Sequence, residues 1–285
     1  MPPPDRPEPI TSALLREWLP DREDHGTVLV VGGSRRVPGA VLLSGIAALR
    51  TGAGTLQLAT ADRHASGLGL AVPEAMVVGL PETGSGAVSR EAADVLGDLV
   101  GDAASLVVGP GLVDPDETAA LLERLLPATR GPVVLDAFAL GALGTHPELG
   151  DPVRGRMVLT PNTVEAKYLL GGEDVDDHVK AAVAIADRHD AVVNLMGVVA
   201  APDGRVWQDA TGHVGLGTSG SGDVLAGLVG GLLARDDDLA RATCWAGHVH
   251  AMAGQRLVPR TGLTGMLARE LLDEVPHVLV ELRSR

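Results

Sequence analysis

The chain has 285 residues (29.2 kDa), 45% of them hydrophobic, enough for one large α/β domain or two small ones. Its 37 acidic against 23 basic residues give a formal charge of -14, and only 2% are aromatic, which argues against a nucleic-acid partner held by phosphate contacts or base stacking. No apolar run reaches a membrane span, the start has no apolar signal core, and Cys244 is the single cysteine, so membrane insertion, secretion, an internal disulfide and a multi-cysteine metal site are all disfavoured and a soluble cytoplasmic protein is expected.

In chain order, residues 1–26 read as a lead-in to a single domain over 27–285. The lead-in has a proline-rich tip, a short amphipathic helix near SALLREWL and a polar PDREDHG stretch. The continuous run TVLVVGG (27–33) predicts a buried strand. GAVLLSGIAALRTGAG (39–54) predicts a helix closed by Gly52, and TLQLAT the next strand. EAMVVGL follows, then a helix over SREAADVLGDL. SLVVGPGL (105–112), PVVLDAFAL (132–140) and MVLTPN (157–162) read as strands. DAVVNLM and VVAAPDGRVW predict strands of a hairpin near 192–208 with PDG as a turn. The last third reads as helices over 221–235, 238–257 and 265–283. This alternation predicts an α/β fold whose mainly parallel sheet has helices on both faces. Ligands in such sheets bind beyond the carboxyl ends of the strands, where GGS, GPG, DAF and TPN fall. No composition break marks a second domain, and no tandem repeat of fixed period occurs.

The stretch GTSGSGDVLAGLVGGLLA (217–234) sets one acid, Asp223, at the mouth of an apolar helix. Gly215, Gly217 and Gly220 fit G-x-G-x-x-G, but polar DATGHV precedes them where a dinucleotide site needs a strand. Asp236–Asp238, near the distance for a ribose acid, fall between helices, and no Lys follows the glycines as in a Walker A loop. What remains is a helix N terminus with free N–H groups and no bulky neighbours, an anion site by geometry. Asp223 sits in the first turn, where the helix dipole favours its ionised form. Beside a phosphate, it can take a proton from a hydroxyl attacking phosphorus. Carboxylate and phosphate repel, which implies Mg2+. The same residues also suit an ordinary first-turn Asp with glycines closing a turn, and local physics leaves both readings open.

Other candidates are weaker. His248 and His250 lie about 200° apart on a helix, cannot share one ion, and suit structural or surface roles. Cys244 reads as a core thiol. Ser34 lacks the G-x-S-x-G setting, because Arg36 lies two residues on. Arg35 and Arg36 are loop candidates for phosphate contacts. Asp136, at a strand end, suits either a metal-bound water or a turn cap. Lys167 reads as a solvated helix residue, and Asp236–Asp238 as a solvated turn with Asp238 capping the next helix. No metal ligand set is assigned.

Taken in order, the blocks VLVVGGSRRVPGAVLLSGIAALRTGAGTLQLAT, PEAM, VVGPGL, VVLDAFAL, LTPNTVEAKYLLG, AAPDGRVW and the 217–234 stretch carry a family pattern. From ITSALLREWLP to ARELLDEVP the chain resembles the NAD(P)H-hydrate dehydratases, ribokinase-like carbohydrate-kinase-related proteins. The resemblance implies a three-layer α/β/α ribokinase-like fold. It implies ADP- or ATP-dependent (6S)-NAD(P)H-hydrate dehydration with Mg2+: phosphorylation of the 6-hydroxyl, then loss of phosphate. Asp223 would activate the hydroxyl, and Gly220, Ser221 and Gly222 would hold the transferring phosphate. Ala40, Gly111 and Asn162 match substrate-side positions, and glycine at 109 and 111 lets backbone approach a ligand closely. Met196 and Gly197 are the nearest equivalents of the family's nucleotide loop.

The chain departs from the pattern in three places. NTVE (162–165) replaces HPGE, keeping Glu165 but putting Asn162 for the His. Phe138, the single Phe, stands where a second Asp is common. The Lys-Gly-x-x-Thr loop is shortened and has no Lys. The resemblance further implies a homo-oligomer and a separate NAD(P)H-hydrate epimerase, since the short lead-in leaves no room for a fused one. A small-alcohol kinase, or a nucleotide-binding paralogue with impaired catalysis, shares the Gly-rich loop and Asp.

Overall fold

Strands form where Val, Leu and Ala run without a polar break, because helices cover both faces of the sheet. The computed structural model describes residues 7–18, 25–236 and 238–284. The proline-rich tip, the polar stretch 19–24 and Asp237 of the acidic turn lie outside the described residues. The strands are β1 (Glu8–Pro9), β2 (Thr27–Val31), β3 (Thr55–Ala61), β4 (Ala75–Leu80), β5 (Ser105–Val108), β6 (Val133–Leu135), β7 (Met157–Leu159), β8 (Ala191–Leu195), β9 (Val198–Ala200) and β10 (Val206–Gln208). They form one sheet in the order β1-β10-β9-β8-β7-β6-β5-β2-β3-β4. Strands β2 to β8 pair in parallel, while β9 turns back on β8 and β10 on β9.

The helices are α1 (Ser12–Glu17), α2 (Gly39–Arg50), α3 (Asp62–Ala71), α4 (Ala92–Asp102), α5 (Pro115–Leu125), α6 (Phe138–Thr145), α7 (Thr163–Leu169), α8 (His178–His189), α9 (Ser221–Leu233), α10 (Leu239–Thr261) and α11 (Ala268–Ser284). Side chains alternate across a strand, so β2 splits its residues between two cores. Val28 and Val30 pack with α1, α2, α3 and α9 to α11; Leu29 and Val31 pack with α4 to α8. The result is the α/β/α sandwich expected from the alternation. Among the described residues no helix is long and apolar enough to cross a membrane.

Val31, Val108, Leu135 and Leu159 stand in register across four parallel strands. Each is the last residue of its strand, so four loops leave the sheet at one edge. Three of these strands, β5, β6 and β7, are shorter than their apolar runs predict. β5 stops because Gly109 takes φ +125°, and β6 because Ala137 takes φ +51° and α6 starts at Phe138. β7 stops because Asn162 caps α7. An apolar run such as VVLDAFAL is buried whether strand or helix, so its pattern does not mark the change. Helix α3 has no clear signal in the sequence, since Gly67 and Gly69 lower its propensity.

The lead-in also packs on the sheet. β1 pairs in parallel with β10, Ile10 and Leu15 are buried, and Trp207 Nε1 donates to Glu8 at 2.8 Å. Trp18 meets Trp207 edge-on with ring centres 5.8 Å apart. In the middle of the molecule α9 is apolar all round, as a helix buried on every side must be. Its glycines admit α2: a Cβ on Gly227 would overlap the Ser44 carbonyl, and one on Gly231 the Thr51 hydroxyl.

Candidate active site

The loops after β2 and β5 interlock through glycine. Gly33 N–H donates to the Pro110 carbonyl at 2.7 Å, and a Cβ on Gly32 would overlap that carbonyl. Gly111 has φ +75°; a Cβ there would lie 2.5 Å from the Val37 carbonyl oxygen and 3.0 Å from the Ala40 Cβ. Ala40 and Gly111, predicted as neighbours of one substrate, therefore touch. Ser34 is fully buried and its Oγ accepts the Val37 N–H at 3.2 Å, which closes the loop and agrees with a non-nucleophilic role. On the same loop Arg35 leans towards Glu82, 3.9 Å away, and Arg36 is exposed.

Ala40 lies in the first turn of α2, and one turn later Ser44 donates from Oγ to the Asp223 carbonyl at 2.6 Å. That bond ties α2 to the first turn of α9. The N-cap of α9 is Gly220 in the left-handed region (φ +86°), with no side chain to cap the helix. The Ser221 hydroxyl is drawn instead to His250 Nε2 at 2.8 Å, both groups being buried. Gly222 is exposed, with open space where a Cβ would be. The Ser221 N–H donates back to the Thr218 carbonyl at 3.2 Å, so the N–H groups left to an incoming ligand are those beside it, Gly222 first among them.

Asp223 is half-buried, and burial, helped by the charge of Glu165, pushes its carboxyl up to about 6. Asp136, at the end of β6, is more strongly affected. Burial, then the charges of Asp223 and Glu165, raise it to about 8, even though the Thr160 hydroxyl donates to it at 2.8 Å. Burial raises Glu165 as well. At neutral pH, then, Asp136 is protonated while Asp223 is largely ionised. The strained Ala137 lies between Asp136 and Phe138, which heads α6 and is 38% exposed. Backbone strain of this kind concentrates at functional sites.

The other predicted site residues lie around this centre. Asn162 Oδ1 accepts the N–H groups of Val164 and Glu165, and the Glu165 carboxylate accepts the Asn162 N–H. This reciprocal box fixes Glu165 at the start of α7. Met196 and Gly197 (φ +50° and +84°) form the two-residue turn between β8 and β9, and Met196 is exposed. Asp209 N–H donates to the Gly197 carbonyl at 2.8 Å. Burial works against the Asp209 carboxylate, but bonds from His248 and Thr211 win and hold it below the usual range. Gly215 is a packing residue, since a Cβ there would overlap the Leu263 carbonyl.

Asp236 departs from the solvated turn expected of it: it is buried and accepts from Arg241 at 2.8 Å. Asp238 does cap α10. Lys167 is an exposed partner of Asp174, and Cys244 is a buried thiol pushed up by that burial. A cavity of about 410 Å³ lies at the opposite edge of the sheet, lined by Asp190, Arg205 and Arg241 among others, far from Asp223. Ser44, Thr160 and Asp209 had no sequence signal. Each acts through a partner far away in the chain.

A family model described as NAD(P)H-hydrate dehydratase matches residues 28–277. An ADP-dependent (S)-NAD(P)H-hydrate dehydratase of Xanthomonas campestris is 45% identical, the match covering 96% of each chain. A bifunctional NAD(P)H-hydrate repair enzyme of Moorella thermoacetica is 38% identical over 96% of this chain, which spans only 54% of that longer protein. A crystal structure of the ADP/ATP-dependent NAD(P)H-hydrate dehydratase of Bacillus subtilis, co-crystallised with ATP/Mg2+, superposes with a TM-score of 0.79 at 27% identity. That match covers 98% of this chain and all of the other. A ribokinase-like superfamily protein of Enterococcus faecalis shares the fold, with a TM-score of 0.83 at 22% identity over 98% and 97% of the two chains. With the family model spanning most of its length and a relative this similar end to end, the chain belongs to the NAD(P)H-hydrate dehydratase family, on a ribokinase-like fold.

Proposed function

We propose that this protein dehydrates hydrated NADH or NADPH at the expense of ADP or ATP. The observation that carries the reading is Asp223, held at the uncapped N terminus of α9 with Gly222 open beside it. In this reading the hydrate lies against Ala40 and Gly111, with Asn162 and Glu165 on its flank. Asp223 takes the proton of the 6-hydroxyl as its oxygen bonds to the terminal phosphorus of the donor. The bond from that phosphorus to the donor's bridging oxygen breaks, releasing AMP or ADP. The N–H groups at Gly220 and Gly222 hold the transferring phosphoryl group, while that of Ser221, between them, is taken by the Thr218 carbonyl. Phosphate then leaves C6 with its bonding electron pair, a proton leaves the neighbouring ring carbon, and the dihydronicotinamide double bond is restored. Met196 and Gly197 flank the rest of the nucleotide.

Mg2+ belongs to the same reading. Asp136 and Glu165 offer hard oxygens in a pocket where burial raises both acids and the charges of Asp223 and Glu165 raise Asp136 further, so a cation suits the donor set. Among the described residues no three His, Cys, Asp or Glu side chains converge to hold an ion alone, which fits a Mg2+ completed by phosphate oxygens and water. Asp136 and Glu165 would hold it, and bound there it would neutralise charge on the phosphates.

The test is regeneration of NADH absorbance from chemically hydrated NADH with Mg2+ and either donor. Recovery with release of free phosphate is the expected result. Flat traces with both donors, beside an active relative, would overturn the proposal. A stable phosphate ester would make the protein a kinase instead.

A further inference from the structure

We propose that the His-Val-His stretch of α10 is a two-sided brace, in which His250 and His248 position the two nucleotide-binding segments relative to each other. This rests on the nucleotide reading of Met196–Gly197 and Gly220–Gly222 given above. Residues two apart on a helix point about 200° apart, so the two imidazoles serve different neighbours.

On one side, His250 Nε2 and the Ser221 Oγ are 2.8 Å apart, joining residues 29 positions apart in the chain. Ser221 is the first residue of α9. A free serine hydroxyl at a helix start can turn onto nearby backbone N–H groups. This one is directed to His250 instead, and with the Ser221 N–H taken by the Thr218 carbonyl the neighbouring Gly222 amide stays open to phosphate. Burial holds the imidazole down at about 4, so it stays neutral and adds no charge to the site.

On the other side, His248 Nδ1 donates to the Asp209 carboxylate at 2.9 Å, both side chains being buried. Asp209 in turn gives its N–H to the Gly197 carbonyl, and a Cβ on Gly197 would lie 2.9 Å from the Asp209 carbonyl oxygen. Gly247, next to His248, lies against Asn194 of β8, where a Cβ would meet Nδ2 at 2.9 Å. The Met196–Gly197 turn and the α9 N terminus are therefore both referred to one 23-residue helix. The separation between them, and hence the fit to a nucleoside di- or triphosphate, is set by α10 and not by the connection at 209–220 alone.

The brace predicts a loss confined to nucleotide affinity. His250→Ala, His248→Ala and Ser221→Ala are each expected to weaken ADP binding in calorimetry about tenfold, with KM for the hydrate within twofold of wild type. His250→Gln, which keeps a group able to reach Ser221, is expected to recover most of the affinity. Ser221→Ala removes a single oxygen and serves where a histidine variant does not fold. ADP affinity unchanged in all variants, with only a lowered melting temperature, would reduce the pair to a structural role and overturn the brace alone. Equal rises in KM for donor and hydrate would overturn it too. Wild-type protein that binds neither ADP nor ATP overturns the nucleotide reading and the brace with it.

Discussion

The Ser44 hydroxyl donates to the main-chain carbonyl of Asp223, 179 residues away, at 2.6 Å. The helix that carries Ala40 in its first turn and the helix that presents the candidate base are thereby one rigid unit. Gly227 makes the approach possible, because any Cβ there would overlap the Ser44 backbone. Gly227→Ala is expected to cost roughly 2–3 kcal/mol of stability, since two buried helices must part. Ser44→Ala, which only removes the hydroxyl, is expected to cost about 1 kcal/mol. Thermal unfolding of both variants checks the order; Gly227→Ala as stable as wild type would show that α2 and α9 are not clamped here.

Asp223→Asn keeps shape and hydrogen-bonding capacity but cannot accept the hydroxyl proton. Turnover is expected to fall by about 10²–10⁴. ADP affinity should hold or improve, because the substitution removes a negative charge beside the phosphates. Single-turnover kinetics with calorimetry on the same sample separates the two effects. Substantial turnover in the variant would remove Asp223 from the role of base.

The raised acids give the protein two distinct pH dependences. Asp223 must be ionised to act, and its carboxyl sits at about 6, so turnover is expected to fall as pH drops through that value. Asp136 bears on stability. Its folded value of about 8 lies above its ordinary 3.8, so between those values the unfolded chain ionises and the folded one does not. The folded state therefore loses up to about 1.4 kcal/mol per pH unit across that window, and the penalty is complete above it. Asp136→Asn removes the term while still accepting from Thr160. In buffer with EDTA its melting temperature is expected to exceed that of wild type by a margin that grows from pH 4 to pH 8. A constant or negative margin would show that Asp136 is not a strained neutral acid.

Much of this was legible in the chain. Continuous Val and Leu runs announced β2, β5 and β8, and the Gly-rich stretch ahead of α9 announced an open helix start. The ends of β5, β6 and β7 were not, because left-handed backbone at Gly109 and Ala137 depends on what packs against them. The acidity of the site was hidden for a similar reason: Asp136, Glu165 and Asp223 come from three separate elements, and only folding brings their charges into one another's field. His248 and His250 could be excluded as a shared metal site from their spacing alone. Their true partners, Asp209 and Ser221, lie 39 and 29 residues away, and no local pattern names them.

Met196 poses the sharpest choice between stability and function. It takes φ +50° ahead of Gly197 at +84°, the two left-handed residues of a hairpin turn that favours Asn-Gly. A methionine pays a Cβ penalty there that asparagine largely escapes. Its side chain is 61% exposed, so no core packing compensates for that strain. Met196→Asn is therefore expected to stabilise the protein by roughly 0.5–1 kcal/mol, a rise of a few degrees in melting temperature. If the thioether is kept for the nucleotide, the same variant binds ADP more weakly. Unchanged ADP affinity in the stabilised variant would take Met196 out of the nucleotide site and leave Gly197 as the only contact on that turn. A melting temperature that does not rise would show instead that the hairpin carries no strain at this position.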